Sequence, residues 1–205
     1  MFIWVSIPQV QEKAIHKGMR FIGIDYSMTC PAITVMGQAG SSKCYFLTGV
    51  RRHEGTVTRT GTHGHTHAWE GIPYPSHNCQ EQRFDNIANW AVEIAKGADA
   101  ILIEDYAMGA KGKVFHIAEN CGLLKHKLWV AGLPFQTVAP TALKKFATGK
   151  GNADKCKMHE AFVAETGIDL MKAMDKESKD CGSPVSDIVD SYYLARYALT
   201  KRQHP

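Results

Sequence analysis

The segment Phe-Ile-Gly-Ile-Asp at residues 21–25 decides the fold of this chain, because its apolar run predicts a buried β-strand that ends at an acid, Asp25. The segment Ala-Ile-Leu-Ile-Glu at residues 100–104 has the same form and ends at Glu104. Acids are rarely buried without a partner, so we expect both carboxylates at the edge of a sheet. The two segments predict strands with polar chemistry at their ends.

Two further acids, Asp187 and Asp190, fall within an apolar segment at 186–200 that predicts a helix. Their three-residue spacing places both carboxylates on one helix face. Each acid also has an ordinary explanation, since strand ends are often solvated and first-turn acids complement the helix dipole behind an N-cap, here Ser186. Together with the two strand-end acids, however, they form a cluster of like charges that a hard divalent cation would stabilise. The four acids therefore predict a site for two metal ions.

Composition describes one ordinary globular domain. The chain has 205 residues, 44% of them hydrophobic and 21% charged, and a formal net charge of +4. Lysines concentrate in 111–157, which suits a polyanion partner, although a solvated face is the simpler explanation. The six cysteines form no C-x-x-C pair and no apolar run reaches membrane-spanning length, so we expect a soluble, cytoplasmic protein with reduced thiols and no membrane partner. Residues 1–20 precede the first strand as an N-terminal extension, and 21–205 form the domain.

The order of predicted elements specifies the fold class further. Three strands separated by short turns predict an antiparallel meander, and strands and helices then alternate. The predicted strands lie at 20–25, 32–36, 43–48, 100–104 and 135–139, and the predicted helices at about 84–95, 113–130, 153–166 and 186–200. This order predicts a ribonuclease H-like α/β fold, in which a five-stranded mixed sheet carries helices on both faces. In such a sheet the first and fourth strands end side by side.

The segment at 138–155, Val-Ala-Pro-Thr-Ala-Leu-Lys-Lys-Phe-Ala-Thr-Gly-Lys-Gly-Asn-Ala-Asp-Lys, carries the strongest local motif. It resembles the RuvC family of Holliday junction resolvases, with a Lys-Lys pair, a Gly-x-Gly turn and an Ala-Asp-Lys helix start. The similarity extends from Phe21 to about Ala198, and the four acids fall on the family's catalytic positions. The physical interpretation of the motif is that Gly149 and Gly151 let the backbone approach a phosphate and that a helix N-terminus offers its N–H groups.

The resemblance implies an endonuclease that cuts four-way DNA junctions as a homodimer and leaves 5′-phosphates. It implies two Mg²⁺ ions per site, for which Mn²⁺ can substitute, and no small-molecule cofactor. Lys155 would then lie at the scissile phosphate and act with the acids in catalysis. Lys144, Lys145 and Lys150 would contact the DNA backbone.

The chain departs from the family pattern at about 51–80, where it carries an insertion. We interpret the insertion as a solvent-exposed loop outside the sheet that contacts DNA through Arg51, Arg52 and Arg59. The alternating histidines at 63, 65 and 67 are also compatible with zinc binding. The insertion and the N-terminal extension together resemble a bacteriophage version of the family.

The predicted helix at 113–130 carries an apolar seam whose members step by three and four residues, as in packed helix pairs. The seam consists of Val114, Ile117, Cys121, Leu124 and Leu128. Since the apolar arc is wider than one sheet requires, we predict that the helix forms the dimer interface. A helix deeply buried within one domain is the alternative.

Three other functions are compatible with parts of the sequence. Another nuclease of the same fold, acting on broader branched DNA or on RNA–DNA hybrids, would carry the same acids. The segment at 23–29 also resembles the phosphate loop of sugar kinases and actin-like ATPases, but those proteins need a second domain. A non-catalytic DNA-binding protein would be expected to have lost some of the acids.

Overall fold

The computed structural model describes residues 18–49, 53–58, 65–105, 114–176 and 181–203. The strands are β1 (Arg20–Asp25), β2 (Ala32–Gly37), β3 (Ser42–Thr48), β4 (His53–Thr58), β5 (Thr66–Pro73), β6 (Ala100–Glu104) and β7 (Phe135–Val138). The helices are α1 (Gln80–Ala95), α2 (Val114–Val130), α3 (Pro140–Thr148), α4 (Lys155–Thr166), α5 (Leu170–Ala173) and α6 (Val185–Gln203). The described strands form one mixed sheet in the order β4-β5-β3-β2-β1-β6-β7.

The centre of this sheet is the predicted one. Strands β1, β2 and β3 form an antiparallel meander, and β6 pairs in parallel with β1, with Ile24 opposite Ile103. Strand β7 pairs in parallel with β6. The predicted strand order and the α/β class are therefore confirmed, and the first and fourth predicted strands do end side by side.

The prediction of five strands is wrong, because the insertion adds β4 and β5 to the edge of the sheet. Strand β5 pairs in parallel with β3, placing Trp69 opposite Cys44, and β4 pairs with β5 in antiparallel register. Trp69 is only 7% exposed and belongs to the core. Its ring lies so close to Gly55 that a Cβ atom there would overlap it. The expected loop outside the sheet is thus wrong for 53–58 and 66–73.

One of the alternating histidines of the insertion, His67, lies in the core, and another, His63, lies outside the described residues. His67 is buried, its Nδ1 lies 2.9 Å from the hydroxyl of Ser42, and its ring packs edge-on against Tyr192. His67 therefore belongs to the core and not to a surface loop. His63, Arg51, Arg52 and Arg59 lie outside the described residues, so the proposed DNA contacts and the zinc alternative stay predictions there.

Helices cover both faces of the sheet. On one face α1 and α2 cover Ile22, Ile24 and their neighbours, and on the other α6 lies across β1 and β2. The short helices α3 and α5 are additions to the predicted order. Pro140 begins α3 at its first turn, where a missing N–H costs nothing.

The predicted dimer seam on α2 lies inside the domain instead. Cys121, Leu124 and Leu128 are 5%, 0% and 0% exposed and pack against α1 and the sheet. The exposed large apolar side chains of the described residues are Phe115, Trp129 and Val130 on the other side of the helix, 80%, 72% and 66% exposed. The seam prediction is wrong for these three buried residues, because the three-and-four spacing repeats on both arcs of the helix.

Helix α6 begins one residue earlier than predicted. The backbone N–H of Ser186 donates to the carbonyl of Gly182, so Ser186 lies within the first turn and is not the N-cap. Among the described residues, the structure contains no helix with the length and hydropathy needed to cross a bilayer.

Candidate metal centre

Three carboxylates meet at the edge of the sheet where β1 and β6 end. Asp25 and Glu104 follow the paired residues Ile24 and Ile103, so the parallel pairing brings them to one point. Asp190 reaches the same point from α6. One carboxylate oxygen from each of the three acids lies within 4.8 Å of those from the other two.

Asp187 stands beside this group of three and is only 5% exposed. The hydroxyl of Ser186 lies 3.4 Å from its Oδ2, and the hydroxyls of Ser183 and Ser27 also hydrogen-bond its carboxylate. It remains close enough to Asp25 to raise the pKa of that acid. The structure thus brings all four predicted acids together, with Asp187 held by hydroxyl groups.

Burial raises the pKa of every acid in the cluster, and the charges of neighbouring acids raise those of Asp25, Glu104 and Asp190 further. Burial, followed by the charges of Asp187, Glu104 and Asp190, raises the pKa of Asp25 well above its ordinary value. Burial and Asp190 raise the pKa of Glu104 to about 8, and burial and Asp187 raise the pKa of Asp190 to about 7. Burial likewise raises the pKa of Asp187, while its hydrogen bonds and Lys155 oppose the rise. The cluster therefore lacks sufficient positive charge of its own.

This donor set fits a divalent metal. Four carboxylates offer the hard oxygen ligands that Mg²⁺ and Mn²⁺ prefer. A bound cation would also offset the repulsion that raises the pKa values of Asp25, Glu104 and Asp190. Asp25, Glu104 and Asp190 would supply the shared ligands, and Asp187 a further carboxylate next to them.

Two lysines face the acids from the motif segment. Lys144 on α3 lowers the pKa of Glu104 and Asp190, and Lys155 at the start of α4 lowers those of Asp25, Asp187 and Asp190. Lys155 is exposed and Lys144 is half-buried. Lys144 was predicted only as a DNA contact, so its position beside two acids adds a second role to test.

The predicted phosphate site at the N-terminus of α4 has one of its N–H groups already capped. The carboxylate of Asp154 caps this helix and accepts the N–H of Lys157 at 2.8 Å. The capping carboxylate takes one N–H group of the first turn and adds negative charge there, so a phosphate would have to bind at the remaining N–H groups. Gly149 instead ends α3 in the left-handed conformation, with φ of 78°. Lys145 and Lys150 are exposed on this segment.

The two ends of the inserted strand β4 lie at opposite ends of the sheet, and only one of them is at the end where β1 and β6 finish. Strand β5 runs parallel to β3, and β4 runs antiparallel to β5. The end of β4 at His53 therefore lies at the same edge as Asp25, whereas the end at Thr58 lies at the opposite edge.

Sequence reasoning missed the residues that support the acids. Ser27 hydrogen-bonds Asp187 and also accepts the N–H of Cys30 at 2.9 Å, which closes the turn after β1. Arg83 and the hydroxyl of Tyr74 both donate to the carbonyl of Met28 in the same turn. The only signal in the sequence was the nearness of Ser27 to Asp25.

Solved structures of known resolvases resemble this chain. The Thermus thermophilus RuvC structure matches with a TM-score of 0.56 and 16% identity, over 90% of this chain and 96% of that one. T. thermophilus RuvC in complex with a Holliday junction substrate matches with a TM-score of 0.55 and 15% identity, over 91% and 96%. The yeast mitochondrial Holliday junction resolvase Ydc2 matches with a TM-score of 0.51 and 12% identity, over 92% and 83%.

No family profile and no curated protein matches the sequence. At these identities the structural likeness is a likeness of fold. It confirms the predicted ribonuclease H-like α/β fold in its RuvC-like form.

Proposed function

We propose that this protein is a structure-selective DNA endonuclease that resolves four-way junctions by metal-dependent hydrolysis of two opposed phosphodiester bonds. The observation that carries the proposal is the meeting of Asp25, Glu104 and Asp190 within 4.8 Å at the end of β1, in a fold like that of RuvC. A cluster of half-buried acids with raised pKa values is typical of a functional site.

The four acids would hold two Mg²⁺ ions, for which Mn²⁺ can substitute. Bound there, the ions would supply a water of lowered pKa and neutralise charge on the leaving 3′ oxygen. Asp25 lies close enough to all three other acids for their charges to raise its pKa, which makes it the natural shared ligand. Hydrolysis that breaks the bond between phosphorus and the 3′ oxygen leaves a 5′-phosphate and a 3′-hydroxyl.

The protein's own cations would place the phosphate. The ammonium group of Lys155 is exposed and lies near enough to Asp25 and Asp190 to lower their pKa values, so a scissile phosphate above the acids would be within its reach. The ammonium group of Lys144 lies near enough to Glu104 to lower the pKa of that acid, so it would place a phosphate from that direction. Lys145 and Lys150 would hold the DNA backbone farther along, together with Arg51, Arg52 and Arg59.

Cutting two opposed strands requires two active sites, and a two-fold homodimer provides them. We place the interface on the exposed arc of α2. Phe115, Gly122 and Trp129 follow one another at seven-residue spacing, and the space beside Gly122 is open, with no atom within 4 Å of the position that a Cβ would occupy there. Two such stripes can cross closely at the glycine while the aromatic rings pack on either side.

The inserted β4–β5 hairpin and the N-terminal extension favour a bacteriophage version of this nuclease. Such an enzyme would act in the cytoplasm of a bacterial host, where its branched DNA substrate is found.

The decisive experiment compares labelled four-way, three-way and flap DNA with an RNA–DNA hybrid, each incubated with Mg²⁺ or Mn²⁺. Preferential paired cuts in the four-way junction support the proposal. Preferential cutting of the hybrid or equal cutting of all branches would instead support a broader nuclease of the same fold. Tight binding without cutting by the wild type would support a non-catalytic DNA-binding protein.

A further inference from the structure

Ser191 lies immediately after Asp190 and makes polar contacts inside an otherwise apolar interface. It is fully buried, and its hydroxyl donates to the carbonyl of Ile188 at 2.9 Å. The hydroxyl of Thr34, also fully buried, lies 2.8 Å from the same oxygen. Because a serine has one hydroxyl proton and Ile188 receives it, Thr34 must be the donor in this second bond.

A third polar group completes the contact. The Sγ of Cys44 lies 3.6 Å from the Ser191 hydroxyl. Burial raises the pKa of this thiol to about 11, so it keeps its proton, which it donates to the carbonyl of Tyr45 at 3.8 Å. The oxygen of Ser191 therefore accepts a hydrogen bond from β2 and contacts the sulfur of β3.

The backbone of Ser191 is fixed as well, against β1. A Cβ atom added to Gly23 would overlap the Ser191 carbonyl oxygen and would lie 2.6 Å from the Cβ of Leu194. Gly23 and Thr34 are direct cross-strand partners. Ser191 therefore rests on one strand pair, with its carbonyl on one member and its hydroxyl on the other.

The contact between Ser191 and the strand pair lies within about two strand residues of the metal centre along β1 and within about one helical turn of it along α6. Asp25 follows Gly23 by two residues, on the same face of the sheet and about 7 Å along the strand. Asp187 precedes Ser191 by four residues, about 6 Å along the helix. The two steps are nearly equal, so fixing Ser191 on Gly23 and Thr34 brings Asp187 level with Asp25. Asp190 is fixed more directly, because it immediately precedes Ser191.

A shift of α6 along its axis would move the helix acids away from Asp25. A shift of one residue moves the helix by about 1.5 Å and turns it by about 100°, which would point the Asp190 carboxylate away from Asp25 and Glu104. Apolar contacts alone define such a register weakly, whereas a hydrogen bond between fixed partners defines it directly.

We propose that the Ser191–Thr34 hydrogen bond is a positioning contact that sets the register of α6 and so aligns the Asp190 carboxylate for metal binding. This inference rests on the proposed function, since it assumes that the acids bind metal. Replacing both partners of a buried hydrogen bond by apolar groups of similar shape is close to neutral for stability. The hydroxyls are thus needed for alignment more than for stability.

The test compares Thr34→Val, which removes the donor at nearly constant shape, with Thr34→Ser, which keeps it, and with the double variant Thr34→Val/Ser191→Ala. Binding of Mn²⁺ without DNA is measured by calorimetry, and the melting temperature is measured without metal. We expect the double variant to melt near the wild type but to bind Mn²⁺ at least about tenfold more weakly, and Thr34→Ser to bind like the wild type.

Unchanged Mn²⁺ affinity in the folded valine and double variants would overturn the inference. So would loss of the fold in both, because the contact would then be structural. A wild type that binds Mn²⁺ yet cuts no DNA would refute the proposed function while leaving the positioning role intact. A wild type that binds no Mn²⁺ would refute both.

Discussion

The carboxylates of Asp25 and Glu104 lie within 4.8 Å of each other at the ends of two neighbouring parallel strands. Both residues are half-buried, and this burial raises the pKa of each carboxyl group. Asp190 completes the group from the helix. Because the three acids share one small volume, a change to any one of them should alter metal binding by all three.

Asp25→Asn, Glu104→Gln and Asp190→Asn should each lower the cleavage rate by about three orders of magnitude, because each removes a charged oxygen from a shared metal site. Asp187→Asn should cost less, since its carboxylate lies outside the group of three. Junction binding should persist in all four, because lysine and arginine contacts supply most of the affinity. Single-turnover rates and gel-shift titrations measure the two effects, with the exposed Glu160→Gln on α4 as the control. Near-normal cutting by Glu104→Gln would contradict the assignment.

Metal-free stability should fall as the pH rises from about 4 to 8. Folding raises the pKa of Glu104 to about 8 and that of Asp190 to about 7, so the folded protein holds protons that the unfolded chain releases near pH 4. The stability from this protonation is present below the unfolded pKa and is lost as the pH passes the folded pKa. Melting curves in a chelator should therefore show Glu104→Gln more stable than the wild type at pH 8.5 but not at pH 4. The exposed Glu160→Gln is the control, and equal pH profiles for Glu104→Gln and the wild type would count against the raised pKa.

Trp129→Glu should give a folded monomer that nicks junctions without paired incision. Trp129 is 72% exposed on α2, so a charge there costs the fold little but disrupts an apolar interface. Leu124→Glu should unfold the protein instead, because Leu124 is fully buried within the domain. Light scattering and circular dichroism separate the two results. A wild type that stays monomeric at micromolar concentration would contradict this interface.

Lys144→Ala and Lys155→Ala should both slow cleavage more than they weaken binding, because both side chains face the acids. The sequence alone predicted this for Lys155 and the reverse for Lys144; the nearness of Lys144 to Glu104 changes the second expectation. Lys145→Ala, at an exposed neighbour, should weaken binding with little effect on the rate at saturating enzyme. If Lys144 and Lys145 behaved alike in single-turnover kinetics, the distinction would be wrong.

Deleting residues 56–68 should destabilise or unfold the protein. A DNA-contacting loop outside the sheet could be removed without loss of the fold, but Thr56–Thr58 and Thr66–Ala68 are paired in the sheet next to the buried Trp69. Replacing only 59–64 by Asn-Gly should preserve the fold, since a short turn can join the two strands. Thermal unfolding compares the two hairpin variants with the wild type, and a stable 56–68 deletion would show that β5 is not needed.

The sequence predicted the central sheet and the four acids because both depend on local signals, namely apolar runs that end in an acid and an i,i+3 pair on a helix. The inserted strands escaped prediction because their alternation is built on Gly55, Trp69 and Gly71, where a large ring fills the space above a glycine. No apolar run marks such strands. The pairing partner that stabilises them, β3, is distant in the sequence.

Two other features depend on how the helices pack, which the amino-acid sequence does not show directly. The helix α3 was not predicted after the strand at 135–139. Proline can follow the end of a strand or begin a helix, and Pro140 begins α3. On α2 the same three-and-four spacing occurs on the buried and the exposed arc, so the sequence alone could not tell which arc faces the core. Only the packing of Leu124 and Leu128 decides this.

Metal-dependent junction cutting by these acids is tested most directly on one four-way junction, incubated in Mg²⁺ with saturating wild type or Asp25→Asn. We expect the wild type to cut two opposed strands and leave 5′-phosphate ends, and Asp25→Asn to bind the junction and leave it intact. No cutting by the wild type in Mg²⁺ or Mn²⁺, or equal cutting by Asp25→Asn, would contradict the proposed function.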